Sequence, residues 1–599
     1  MNESFRQKAF LDVDQSASGR MWADRLDARG RNAALAMTQA TGLPELVARV
    51  LASRGIGADE AEAFLAPAIR DLMPDPLTMT GMKEAADRIA RAIISGEKTV
   101  IFGDYDVDGA ASSALLCRYL RHHGLDPEIY IPDRVFEGYG PNTEAMRQLA
   151  EAGAQLIVTV DCGAASFEAL AEAEKLGVDV VVLDHHQMGE AVPPAVAVVN
   201  PNRQDDLSGL GHLCAAGVVF MTAVAVTRLL RERGWYGAVK APDLLQWLDL
   251  VALATVCDVV PLVGLNRAFV VKGLAAMRAL ANPGIAALAA IARVSGPLEA
   301  NHLGFIIGPR INAGGRIGDA ALGSGLLCED DRAQAEVIAA QLDRLNAERQ
   351  AAEKRMLEEA LAQAEAEMAG GDGPPIMMVQ SDNWHPGIVG LIAARLKERF
   401  ARPAIAIQFD GLGRGSGSGR SISGVDLGHA VRSALEQGIL VKGGGHAMAA
   451  GLTVERGRLA DLRSFLEEAV GADVANALQR DHLRIDGALS ARGATLELVE
   501  LLERAGPYGA GHPQPIFAFP AHAIRNPRVV GQNHVSVSLS AGDGASLKAI
   551  AFRAADRELG QLLLAPPPRL HVVGTLSADF WQGSRRVQLR ITDAAVPQG

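Results

Sequence analysis

Three short apolar runs in the first half of the chain end in acidic clusters. TVIFG (99–103) leads into DYDVDG (104–109), LIVTV (156–160) into DCG (161–163), and DVVVL (179–183) into DHH (184–186). If the three runs are neighbouring parallel strands, their carboxyl ends open on one crevice. Asp104, Asp106, Asp108, Asp161 and Asp184 then meet there with His185 and His186. Five carboxylates in one cleft repel unless cations compensate them. Carboxylates mixed with imidazole suit Mn²⁺ or Mg²⁺, and suit zinc less because no thiolate cluster accompanies them. A lone strand-end Asp is as readily a helix N-cap. Three such ends in succession make that coincidence improbable.

The elements that must position these side chains follow from the alternation around them. Helical stretches at Met82–Ile94, Ala110–His122 and Phe167–Leu176 separate the apolar runs, and EIYIP (128–132) and VAVVN (196–200) add two more. Strands alternating with helices predict an α/β domain with a doubly wound parallel sheet. Residues 329–369 contain neither Gly nor Pro and place Ile338, Leu342, Leu345 and Met356 at helical spacing. Unbroken, this connector runs roughly 60 Å at 1.5 Å per residue; two helices joined by a kink fit the pattern as well. Beyond GGDGPP (370–375) lies a second α/β pattern, and from about residue 481 alternating short strands indicate a small β-barrel. The expected division is a leader over 1–75 packing on the domain that follows it, a catalytic domain over 76–328, the connecting helix over 329–370, a second α/β domain over 371–475 and the barrel over 476–599.

The 599 residues are 49% hydrophobic and 21% charged, which excludes wholesale disorder. A net charge of −12 argues against a surface that coats a polyanion throughout, so any grip on nucleic acid is local. Residues 525–590 are the exception, with nine basic residues against four acids and with Phe552 and Trp581 able to stack on bases. The five cysteines are scattered with no Cys-x-x-Cys pair, which fits a reducing compartment. No secretory signal and no run long enough to span a bilayer is evident, so a cytoplasmic protein without a membrane is expected.

DYDVDG, DCG and DHH, in this order and spacing, resemble the DHH phosphoesterase superfamily. VCDVVPL (256–262), GPRINAGGRIGD (308–319), NWHPGIVGLIAARL (383–396), GRSI (419–422), GGGHAMAAG (443–451) and PYGAGHPQPIF (507–517) narrow the likeness to its RecJ-like single-strand exonucleases, over residues 65 to 595. The resemblance implies a DHH domain, a DHHA1 domain and an OB-like barrel. It also implies a 5′-to-3′ exonuclease of single-stranded DNA that releases 5′-mononucleotides in recombination and repair. Asp106 and Asp161 would hold one divalent ion and Asp108, Asp161, His185 and Asp258 the other, with Asp161 bridging. Asp104 and Asp184 would orient those ligands, and His186 would donate a hydrogen bond to the scissile phosphate. Arg134, Ser418 and Arg420 would surround a terminal 5′-phosphate, Tyr139 would stack a base, and His446, Arg310 and Arg316 would reach substrate phosphates. Either arginine fits a structural ion pair equally. GLGRGSGSGRSI (411–422) and GGGH (443–446) read as glycine-rich anion-binding nests. His512 departs from the family, which commonly has Asn there. A helicase and a single-strand-binding protein are implied partners of a monomer. Two other functions fit less of the chain: a DHH phosphodiesterase for short oligonucleotides or cyclic dinucleotides, which leaves the barrel unexplained, and a non-catalytic strand-binding replication factor, which leaves the acids unexplained.

Overall fold

A computed structural model describes residues 8–134, 136–237, 239–369, 373–479, 482–581 and 584–598. The chain divides into two compact units, residues 72–480, and residues 1–71 together with 481–599. The first strand, β1 (Trp22–Asp24), belongs to the second of these.

The 72–480 unit begins with a fully parallel sheet of β2 (Thr99–Phe102), β3 (Glu128–Tyr130), β4 (Leu156–Val160), β5 (Asp179–Leu183) and β6 (Ala197–Val199), in the order β3-β2-β4-β5-β6. All of β2, β4 and β6 are buried, which explains runs with no polar alternation. The chain reverses direction across the sheet between β2 and β4, so the crevice of this doubly wound fold opens where DYDVDG and DCG leave their strands. Helices Val107–His122, Ala215–Glu232 and Leu248–Cys257 pack together and bring residues from well outside the strands to that crevice.

The connector is one unbroken helix, Arg332–Met368, of 37 residues. At 1.5 Å per residue it spans about 55 Å. Its Leu345 packs on Gly318 of the first domain, while Met356, Ala360 and Ala364 join a core with Met377, Ile388 and Ile392 of the second. The second domain is a five-stranded mixed sheet of β7 (Met377–Ser381), β8 (Ala404–Phe409), β9 (Arg414–Arg420), β10 (Lys442–His446) and β11 (Ala449–Glu455), in the order β10-β11-β9-β8-β7.

Both stretches expected to be nests are therefore strands. The amides of 414–420 enter ladders with β8 and β11 on both sides, so that set is not free to cradle an anion, while 442–446 form an edge strand paired with β11 on one side. The glycines serve packing instead. A Cβ on Gly417 would stand 2.8 Å from Leu452, and one on Gly419 would stand 2.6 Å from Leu427. Gly419→Val supplies a good strand former but has no room for it. The expected result is a destabilisation of about 1 to 3 kcal/mol, read as a lower melting temperature of the purified protein.

In the other unit, β14 (Phe517–Val530), β15 (His534–Ser540), β16 (Ser546–Ala551), β17 (Leu570–Trp581) and β18 (Ser584–Ala595) form a barrel, closed by pairing of β14 with β17. The N-terminal segment, expected to pack on the domain after it, contributes to this unit. β1 pairs in parallel with β12 (Leu483–Ile485), and Met37, Val47 and Leu51 share a core with Val499, Phe517 and Val535. Asp593, buried inside, accepts hydrogen bonds from Ser16, Ser18 and Trp22. His512 turns inward at 2% exposure, stacks on Tyr508 and bonds through Nε2 to the Ala505 carbonyl. Among the nine basic barrel residues, Arg585 is held by Glu500 and Glu503. Phe552 is half exposed, with the His534 ring and the Arg590 guanidinium against it. The side chain of Trp581 lies outside the described residues. Among the described residues no helix is long and apolar enough to cross a membrane.

Candidate active site

Each acidic cluster reaches the crevice by a local device. Asp106 caps the helix that follows β2, one oxygen accepting from Gly109 N at 3.1 Å, so the N-cap reading holds for it alongside any other role. Asp108 lies two residues further, in the first turn, buried. Its oxygens accept from Ala215 N at 2.7 Å and Ala216 N at 2.9 Å, the first amides of an 18-residue helix whose N-terminus favours negative charge. Asp161 leaves β4 with φ +62°, a left-handed conformation unusual outside glycine, and its carboxylate lies against His185. Asp258 terminates the helix Leu248–Cys257.

Four buried atoms at the centre have no hydrogen-bond partner among the described residues: Asp104 Oδ1, Asp161 Oδ1, His185 Nε2 and Asp258 Oδ2. They nonetheless converge. His185 Nε2 stands 3.3 Å from Asp161 Oδ1, 3.6 Å from Asp258 Oδ2 and 3.6 Å from Asp108 Oδ2. Buried polar atoms are ordinarily paired, because an unpaired one forfeits its hydration. Three overlapping groups have ligand atoms within 4.8 Å of one another: Asp104, Asp106 and Asp161; Asp108, His185 and Asp258; and Asp161, His185 and His186. Asp161 is common to the first and third, and His185 to the second and third. This donor set, hard oxygens with imidazole, fits a pair of Mn²⁺ or Mg²⁺ ions.

The electrostatics carry the same message. Burial, followed by repulsion from Asp108 and Asp106, pushes the Asp258 carboxyl up to about 9. Burial and then the other acids raise Asp161 and Asp104 well above the carboxylate range. Asp184 behaves oppositely. It is buried too, but the hydrogen bond and charge of His186 outweigh that cost and hold it at about 2. Its oxygens accept from His185 N, His186 N, His186 Nδ1 at 2.8 Å and Ala164 N. Burial opposes charge on His186 as well, yet the pairing with Asp184 raises it to about 9. The result is an imidazolium fixed by a carboxylate whose Oδ1 accepts three hydrogen bonds and whose Oδ2 accepts one. Asp104, expected to orient the ligands, has an open oxygen that groups with ligand atoms of Asp106 and Asp161.

Two residues that hold the His–His pair escaped the sequence reading. Asn200 Nδ2 donates to the His186 carbonyl at 2.8 Å and Asn202 Nδ2 to the His185 carbonyl at 2.5 Å. Their only linear signal is an NPN turn directly after β6.

The basic residues separate into two groups. Arg134, Arg316 and Arg420 crowd one place: Arg316 is lowered to about 10, first by burial and then by the charges of Arg134, Arg349 and Arg420. Arg420 donates to Ser418 Oγ at 2.9 Å, and a Cβ on Gly390 would approach both at 3.0 Å, so the start of helix Val389–Phe400 lies directly against the pair. Arg310 does not join. It pairs with Asp343 at 2.9 Å and with the Ile306 carbonyl, which makes it a structural ion pair. His446, at the exposed end of β10, is lowered by burial and then by the charge of His186. The Tyr139 hydroxyl donates to the Asp161 carbonyl at 3.0 Å and its half-exposed ring meets His186 edge to face.

Family models match three stretches: the N-terminal domain of the DHH family over 98–255, the DHHA1 domain over 373–472 and the RecJ OB domain over 485–593. The chain is 38% identical over 519 residues to the single-stranded-DNA-specific exonuclease RecJ of Salmonella typhimurium, covering 85% of this chain and 89% of that one. It is 38% identical over 565 residues to RecJ of Dickeya dadantii, covering 92% and 96%. Among solved structures, RecJ of Thermus thermophilus in complex with Mn²⁺ aligns with a TM-score of 0.77 at 30% identity, over 95% of this chain and 78% of that one. The same protein in complex with Mg²⁺ aligns with a TM-score of 0.72 at 28% identity, over 95% and 77%.

Proposed function

Because this chain belongs to the RecJ family of single-stranded-DNA-specific exonucleases, we propose that it hydrolyses single-stranded DNA from the 5′ end and releases 5′-mononucleotides. The observation that carries the reading is the set of buried, unpaired oxygens and the imidazole nitrogen converging on one point. Asp104, Asp106 and Asp161 would hold one divalent ion, and Asp108, Asp161, His185 and Asp258 the other. When bound, the pair supplies an activated water and charge stabilisation on both the attacking and the leaving oxygen.

The chain's own residues do the rest. His186, kept protonated by Asp184, donates a hydrogen bond to the negative charge that builds on the scissile phosphate. Asn200 and Asn202 keep the His185–His186 backbone from rotating away. Arg134, Arg316, Ser418 and Arg420 bind a terminal phosphate through charge-assisted hydrogen bonds, and a pocket that accepts only a chain end makes the enzyme exonucleolytic. His446 reaches the phosphates near His186, and Tyr139 packs on the terminal base. The barrel, with Phe552 flanked by His534 and Arg590, offers a stacking platform for a single strand. A substrate confined to single strands calls for a helicase and a single-strand-binding protein as partners, and one copy of the chain carries every group named, in keeping with a cytoplasmic monomer.

Digestion of a long oligonucleotide labelled at either end, with and without a 5′-phosphate and with Mn²⁺ or Mg²⁺, tests this. Mononucleotides released from the 5′ end are expected; loss from the 3′ end overturns the polarity. Turnover confined to dinucleotides and very short oligomers instead establishes the phosphodiesterase alternative. Arg420→Ala is expected to raise KM for the 5′-phosphorylated strand on the order of tenfold to a hundredfold, the worth of hydrogen bonds to a charged group. Steady-state kinetics on the two ends measures it.

A further inference from the structure

The three arginines of the phosphate pocket pose a problem of their own. Arg316 is half-buried and donates to the Gly387 carbonyl at 3.0 Å, and the charges of Arg134 and Arg420 oppose its own. Arg134 sits on the loop after β3, where Glu137 accepts from Tyr130 Oη at 2.7 Å, Asp133 N at 2.8 Å and Asn142 Nδ2 at 3.1 Å. These bonds anchor the loop backbone and leave the guanidinium to be placed by something else. Asp104 attracts that guanidinium, while Arg316 and Arg420 repel it.

What lies under the guanidinium is Tyr105, the residue between Asp104 and Asp106. Arg134 Cζ stands 4.9 Å from the centroid of the Tyr105 ring, well within the range for attraction between a cation and a π face. The ring is held in turn. A Cβ on Gly315 would come within 2.7 Å of the Tyr105 carbonyl oxygen and 2.8 Å of its Cβ, so the helix Gly308–Ile317 presses directly on this residue, and the same helix carries Arg316. The hold of Tyr105 on Arg134 comes through the ring face.

We propose that Tyr105 is a positioning residue for the terminal phosphate: its ring holds the Arg134 guanidinium beside Arg316 and Arg420, against their repulsion, so that the pocket stands assembled before the strand arrives. This rests on the reading that Arg134 binds that phosphate. It ties the metal-bearing DYDVDG segment to end recognition, since one turn of chain carries both the candidate ligands and the platform for the arginine. A strand seated by its phosphate is thereby registered against the hydrolytic centre.

The experiment compares Tyr105→Phe, Tyr105→Leu, Arg134→Gln and the double variant Tyr105→Leu/Arg134→Gln in the full chain. It reads KM and kcat for one oligonucleotide with a 5′-phosphate and with a 5′-hydroxyl, and melting curves confirm folding. The ratio of the two KM values measures end preference. Tyr105→Leu is expected to reduce that preference roughly tenfold, mainly through KM, as loss of a partly desolvated cation–π contact requires. Tyr105→Phe keeps the preference because it keeps the ring. The double variant shows no more loss than Arg134→Gln alone, since Tyr105 acts through Arg134. Full preference in Tyr105→Leu, additive losses in the double variant, or a fall in kcat equal for both ends overturns the proposal. If Arg134→Gln itself keeps the preference, the phosphate-pocket reading fails first and takes the proposal with it; if it loses the preference while Tyr105→Leu does not, only the proposal falls.

Discussion

Replacing Asp161 with Ala is expected to abolish hydrolysis, by on the order of a thousandfold or more, while binding of a single strand changes little. Asp161 is common to two of the three candidate ligand groups, so its loss disturbs both ion positions at once. The arginines that grip the strand do not depend on its carboxylate. One complication is the left-handed backbone at φ +62°, which Ala adopts less readily than Asp. Asp161→Asn separates the two effects, because Asn tolerates this conformation and keeps the size but binds a cation poorly. Both variants should be inactive, with melting temperatures that differ only modestly. Substantial turnover by clean Asp161→Asn protein in Mn²⁺ would mean that the carboxylate is not a bridge.

Removing the ions is expected to destabilise the 72–480 unit, and more at pH 9 than at pH 6. Asp258 rises to about 9 in the folded chain, against about 3.9 when unfolded. A raised carboxyl favours the folded state in full only below the unfolded value. That contribution is lost as pH climbs from about 4 toward 9. His186, raised to about 9 by Asp184, acts in the same direction: its contribution is complete below about 6.5 and fades as pH approaches 9. Asp184, held at about 2, stays ionised throughout and adds nothing to the slope. Bound ions reverse the trend by taking the deprotonated acids, and at a hundred times their Kd they add about 2.7 kcal/mol. Calorimetry in chelator and in saturating Mg²⁺ at both pH values measures this. Equal melting temperatures at pH 6 and pH 9 in chelator, or no rise with Mg²⁺, would remove the case for a cation-filled centre.

Much of the catalytic domain was legible in the linear chain. LIVTV and DVVVL occupy β4 and β5 residue for residue, and TVIFG differs from β2 by one position. Buried parallel strands are continuous apolar runs, and a local signal of that kind survives without knowledge of neighbours. The clustering of Asp104, Asp106, Asp161 and His185 followed from strand ends converging, a rule of topology that needs no side-chain detail. Asp258 was different. Its helix gave no chemical cue, and only resemblance placed it beside His185.

What residue order could not supply are the properties that depend on partners distant along the chain. RGSGSGR and KGGGH read as loops because glycine disfavours strands locally, yet Leu452 and Leu427 fill the space beside Gly417 and Gly419, and Val431 and Leu440 that beside Gly443, which makes glycine the fitting residue at those positions. Arg310 and Arg316 sit six residues apart in one motif, and only packing turns the first toward Asp343 and the second toward the Gly387 carbonyl, within the field of Arg134 and Arg420. The N-terminal segment joins the barrel core by pairing across some 460 residues, a contact with no local trace. Composition and period are short-range properties and fix which residues can do chemistry. Which of them end up paired, buried or left with an open valence is settled by long-range contacts, because burial and charge energies depend on whatever neighbours the fold delivers.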